Sequence, residues 1–128
     1  MSIVKLFNSQ FNEFLNDMVT VFPEDGDIKT AKFIHNNISS FSPSLPIKLW
    51  YSNIYINYYN DLEKGGFDSL FTKNFEEVVN TYDDANSILE IINIIKKLAL
   101  TLSSSNKDKI YKYMINLCKI SKIYHDKI

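Results

Sequence analysis

Arginine is absent from the 128-residue chain, so all 14 of its basic residues are lysine. The chain has no planar guanidinium with which to grip phosphate or carboxylate in a bidentate fashion, and no side chain that can serve as an arginine finger. Cysteine occurs once, at Cys118, so no disulfide can form within the chain, and a reducing compartment is the expected setting. Three glycines and three prolines are too few tight-turn residues for an all-β fold made of hairpins. Charge of one sign is missing as well. The formal net charge is −1 with no long run of either sign, whereas a sequence-independent polyanion binder is usually clearly basic. The most apolar stretch, residues 88–102, is broken by Glu90, Asn93, Lys96 and Lys97, which predicts no membrane span. The opening MSIVKLFNSQ lacks the apolar run of a signal peptide, so the protein is expected not to be secreted.

What is present is helical periodicity from residue 3 to 124. The length suits one domain over 1–128. The last segment, 105–124, is the clearest. Ile110, Tyr113, Met114, Leu117, Ile120 and Tyr124 recur at steps of three and four, which makes one apolar stripe. Ser105 with Asp108 resembles a capping box at its start. Residues 3–22 form a helix with Ile3, Phe7, Phe11, Phe14, Leu15, Met18 and Phe22 on one face, stopped by Pro23. Asp27 is expected to cap a second helix, with Ile28, Ala31, Ile34 or His35, and Ile38 turned inward. After the break FSPSLP, where Ser42 or Ser44 can start a helix, a third runs over 46–62 and ends at Gly65 and Gly66. Its inner face holds Ile47, Trp50, Tyr51, Ile54, Tyr55, Tyr58 and Leu62. A short helical turn is expected after Asp68. A strongly apolar helix then follows Thr81 and Asp84 and carries Ile88, Ile91, Ile92, Ile95, Leu98 and Leu102. The fold class is all-α: a bundle of about five helices with one short extra helical turn.

Reactive chemistry has few carriers. His35 and His125 lie in separate elements, and with Cys118 they do not give the ligand spacing of a zinc site. Cys118 reads as a small apolar filler and not a nucleophile. The acidic turn around Glu24, Asp25 and Asp27 lacks the continuation of a calcium loop, and Gly65-Gly66 is not a phosphate loop. No catalytic residue, metal or organic cofactor is expected. The aromatic set Trp50, Tyr51, Tyr55, Tyr58 and Tyr59 has Lys48 as the one basic residue within its helix. Core packing therefore explains it better than a nucleobase platform, with an interface role for some of the tyrosines.

Three stretches carry a resemblance: FNEFLNDMVTVFPEDGDIKTAK, the Gly-Gly-Phe-Asp segment before Leu70-Phe71, and SSNKDKIYKYMINLCKISKIY. Together they resemble small helical proteins encoded by large nucleocytoplasmic DNA viruses of protists and algae. The matching positions are Phe22-Pro23-Glu24-Asp25, Gly66 to Phe71, and Asn106 to Ser121. Abundant Ile, Asn, Lys and Tyr with scarce Ala suit such an AT-rich genome. That group has no assigned enzymatic activity, so the resemblance carries over no catalytic residues. It implies a setting in the host cytoplasm, the virus factory or the virion, as a minor capsid or internal component or an adaptor.

Two surfaces follow as candidates. Leu49 and Ile56 behind the third helix, with Ile115 and Ile123 among the lysines of the last, exceed what one buried stripe needs. They are the candidate interface for a protein partner or for self-association. The alternative is a nucleic-acid face made of Lys109, Lys112, Lys119 and Lys122, in a C-terminal segment where six lysines stand against two aspartates.

Overall fold

A computed structural model of the chain describes residues 2–65, 90–91, 93–94, 97 and 103–127. Every regular element among them is helical. α1 spans Ile3–Val21. Ser2 caps it, its hydroxyl oxygen accepting from the Lys5 N–H at 3.0 Å. It ends where the Phe22 N–H closes on the Met18 carbonyl at 2.9 Å and Pro23 follows. Phe7, Phe11, Phe14, Leu15 and Met18 are buried, as the spacing requires. Each such side chain withdrawn from water contributes roughly 1.5–3 kcal/mol, so this row is a main source of stability.

α2 spans Gly26–Phe41, and its cap is Asp25, not the expected Asp27. The Asp25 backbone is extended, and Oδ1 accepts from Asp27 N–H at 2.7 Å and Ile28 N–H at 3.2 Å. Asp27 lies already inside the first turn, where a carboxylate meets the positive helix end but cannot cap. The buried set of α2 is small: Ile28, Ala31 and His35.

The third helix is not one regular helix. α3 spans Leu45–Trp50, with Pro46 in its first turn and Ser44 before it making no side-chain cap bond. A π turn, Tyr51–Tyr55, follows without a break and leads into α4, Ile56–Gly65. The Ile56 N–H reaches back five residues to the Tyr51 carbonyl. Local polar side chains serve the widened turn. Asn53 Nδ2 donates to the Leu49 carbonyl at 3.0 Å, Ser52 Oγ to Lys48 at 3.0 Å, and Asn57 Nδ2 to Asn53 at 3.1 Å. The sequence explains the extra residue. Trp50, Ile54, Tyr58 and Leu62 are all buried and each is four residues from the last. In an ideal α-helix that spacing drifts by about 40° per step, which would set Leu62 about 120° round from Trp50. The wider π turn takes up the drift.

α5 spans Ser104–Lys127. Its cap is Ser103, whose Oγ accepts from the Asn106 N–H at 3.3 Å, two residues before the expected Ser105. With three serines in a row, side-chain type alone does not fix the register. Ile110, Met114, Leu117, Cys118 and Ser121 are buried, while Tyr113, Ile120 and Tyr124 are half-buried at the edges of the stripe. α5 packs on α1, on α3 and along the π turn. Trp50 sits at the meeting point, edge-on to Phe11 at 5.4 Å and to Phe7 at 6.1 Å. Its indole N–H donates to Cys118 Sγ at 3.3 Å. Of the expected apolar helix near 88–102, the described residues 90, 91, 93, 94 and 97 are helical. Ile91 is buried in the common core and Lys97 pairs with Asp27 at 3.3 Å. The expected turn after Asp68, the Gly66–Phe71 motif and the Thr81–Asp84 start lie outside the described residues.

Candidate protein interface

Cys118 and His35 are built into the core, whereas His125 is exposed. Burial pushes the Cys118 thiol up to about 12, against the Trp50 hydrogen bond, which favours the thiolate. A thiol held protonated and enclosed is a poor nucleophile. His35 stacks on Phe11 with ring centroids 4.5 Å apart. Among the described residues no three His, Cys, Asp or Glu side chains gather as a metal site would need, and no helix is long and apolar enough to cross a membrane. The cleft between α1 and α5, lined by Phe14, Met18, Ile110 and Tyr113, encloses about 20 Å³. That is room for about one water molecule, well short of the several hundred Å³ that an organic ligand fills. Tyr113 closes this cleft, stacking on Phe14 at 5.0 Å and donating its hydroxyl to Asp17 Oδ2. Burial first, and then the Asp17 carboxylate, raise its pKa.

The four apolar candidates divide. Leu49 and Ile115 are half-buried and pack against the core, so they belong mainly to the fold. Ile56 is 60 % exposed and Ile123 is 48 % exposed. Ile123 stands nine residues after buried Met114, about 180° round α5, and so faces directly away from the core. Ile56 has company. It lines an open hollow of about 350 Å³ with Lys48, Tyr51, Ser52, Tyr124 and His125, where the start of the third helical segment meets the end of α5.

That hollow is bordered by a column of stacked rings. His125 lies on Tyr51 at 4.0 Å, Tyr51 on Tyr55 at 5.1 Å, and Tyr55 on Tyr59 at 4.7 Å, all within 18° of parallel. The tyrosines are again four residues apart; the π turn spans the step from Tyr51 to Tyr55, and Tyr55 and Tyr59 stack across a turn of the regular helix α4. The three tyrosines are half-buried and His125 is exposed. Two phenylalanines on α2 went unremarked in the sequence: Phe33 is 64 % exposed and Phe41 92 % exposed. Both lie outside the inward row of Ile28, Ala31 and His35, and this offset is the signal that could have found them.

The lysine candidates do not converge. Lys109, Lys112 and Lys119 are exposed. Lys122 is half-buried and pairs with Asp126 at 2.9 Å, one turn on, and this bond raises its pKa. From Lys109 to Lys122 the four spread over well over about 100° of the α5 circumference. Lys109 and Lys112 share an open hollow with the Asp17 carboxylate. Comparison of the chain with protein-family models, with curated proteins and with solved structures returned no match.

Proposed function

We propose that the chain is a non-enzymatic helical protein that works through protein–protein contact, and that the hollow beside Tyr51 and His125 is its contact surface. The observation that carries this reading is Ile56. A large aliphatic side chain stands in water at the rim of a hollow whose wall includes the stacked rings of Tyr51 and His125. Aromatic residues in preset orientation are favoured at the centres of interfaces, because they bury much area for little lost freedom. Lys48 at the rim suits an acidic neighbour on the partner. In the setting that the resemblance implies, the partner is another viral or host protein of the factory or virion, or a second copy of the chain.

Ile56→Lys tests this. The substitution is at an exposed site, so helix content and stability should stay within about 0.5 kcal/mol of the parent. Light scattering should then show loss of self-association, or capture from infected cells should show loss of a partner that the parent retains. The competing nucleic-acid reading makes a different prediction. Changing Lys109, Lys112, Lys119 and Lys122 to Glu would abolish binding that weakens steeply with salt, while Ile56→Lys changed nothing. That pair of results would overturn the proposal.

A further inference from the structure

Free charges of opposite sign stand at two partly apolar places far apart on the bundle. Between Lys5 and Lys29 the chain has no lysine, but it has Glu13, Asp17, Glu24, Asp25 and Asp27. The last three stand where α1 turns into α2. There the Asp25 N–H donates to the Phe22 carbonyl at 3.1 Å, so Pro23 and Glu24 take the two corner positions of a β-turn, and both are exposed. Val21 beside them is 39 % exposed. Asp25 is engaged as the cap of α2, and Asp27 by Lys97, which leaves Glu24 as the unpaired charge of this tip among the described residues. At the hollow the sign is reversed. Lys48 is exposed and makes no ion pair among the described residues, and His125 is the other basic group of the lining. Asp126, next along α5, is taken by Lys122 at 2.9 Å.

Tip and hollow lie at opposite ends of α5. Val21 shares the α1–α5 cleft with Asn106 and Lys109 at its start, whereas the hollow holds Tyr124 and His125 at its end. From Lys109 to Tyr124 the helix axis advances about 22 Å, so a tip cannot reach the hollow of its own chain. We infer that the occupant of the hollow is a second copy of this chain, whose α1–α2 tip enters it with Glu24 against Lys48 and with Val21 and Pro23 on Ile56 and the rings of Tyr51 and His125. This rests on the hollow being the contact surface and adds what fills it. The match is an apolar centre rimmed by a charge pair, and the pair sets the orientation of docking. Tip and hollow are different patches, so the contact is heterologous. Every open assembly keeps one free tip and one free hollow and grows past the dimer.

Sedimentation velocity of the intact chain over a range of concentrations tests this. The parent's mass should rise with concentration past that of a dimer, and less so at high salt. Glu24→Lys spoils the tip and Ile56→Lys spoils the hollow, so each alone should stay monomeric, with helix content by circular dichroism unchanged. Mixed one to one, the two variants should form a dimer that grows no further, because one supplies an intact hollow and the other an intact tip. Adding Lys48→Glu to Glu24→Lys should restore the growth of the parent. A parent that stays monomeric, a Glu24→Lys chain that assembles like the parent, a mixture that stays monomeric, or a double reversal that restores nothing would overturn the inference. Each of those results leaves the hollow open to a different protein; the hollow itself loses its role only if Ile56→Lys changes neither assembly nor partner capture.

Discussion

Deleting Ser52 should do little harm, although it removes a residue from the middle of a core-forming helical segment. The expectation comes from the buried row. With the π turn present, Trp50, Ile54, Tyr58 and Leu62 are four apart and all buried. Without Ser52 they stand three, four and four apart, at about 0°, −60°, −20° and +20° round an ordinary α-helix. That is a narrow inward stripe, so a regular helix can replace the π turn without turning any of these side chains to water. The losses are local: the Ser52 hydroxyl bond to Lys48 at 3.0 Å and the side-chain bonds of Asn53 and Asn57 that serve the turn. Bonds of this kind contribute about 0.5–1.5 kcal/mol each, with Ser52 exposed and Asn53 buried, and an unbroken α ladder offsets part of that. We expect a net change of about 1 kcal/mol or less. Asn60 is the control, exposed like Ser52 but set in the regular helix α4. Deleting it turns Leu62 by about 100° and removes its carbonyl from Tyr111, whose hydroxyl donates to it at 2.9 Å. Burial of one leucine and one hydrogen bond together are worth about 2–4 kcal/mol. Urea denaturation followed by circular dichroism ranks the two. If the Ser52 deletion destabilises as much as the Asn60 deletion, the π turn is not taking up a spacing of four and the account of this helix fails.

Two further substitutions test the assigned faces and caps. Leu117→Asp places a carboxylate at a fully buried position in α5 and should destabilise by several kcal/mol, whereas Lys119→Asp on the exposed side should stay within about 0.5 kcal/mol; chemical denaturation giving the reverse order would refute the buried face. Asp25→Ala should lower stability by about 0.5–2 kcal/mol through loss of the α2 cap, and Asp27→Ala by clearly less, because its ion pair with Lys97 is exposed; equal losses in thermal melts would return the cap to Asp27.

The all-α class and most of the core were legible in the sequence, because burial of one face writes a period of three and four that needs no tertiary knowledge to read. Phe7 to Met18 in α1 and Ile110 to Leu117 in α5 are buried where that period places them. Helix starts were less legible. Asp25 and Asp27, or Ser103 and Ser105, are equally good capping types, and only backbone geometry selects between them. Apolar residues beyond the stripe were legible as a surplus but not as a place. Leu49 and Ile115 found a second helix to lean on, and Ile56 and Ile123 did not.

The hollow was illegible for a more particular reason. Tyr51 and His125 in its wall come from two helices far apart in the chain, and no local period shows that they meet. The spacing of four in Tyr51, Tyr55 and Tyr59 recurs in Trp50, Ile54, Tyr58 and Leu62, where the π turn takes up part of the drift. Packing of the buried row fixes the turn, and the turn then fixes the outer row. Stability and the shape of the candidate interface are thus set by one structural feature, so a change that straightens the helix while sparing the core should disturb partner contact far more than folding.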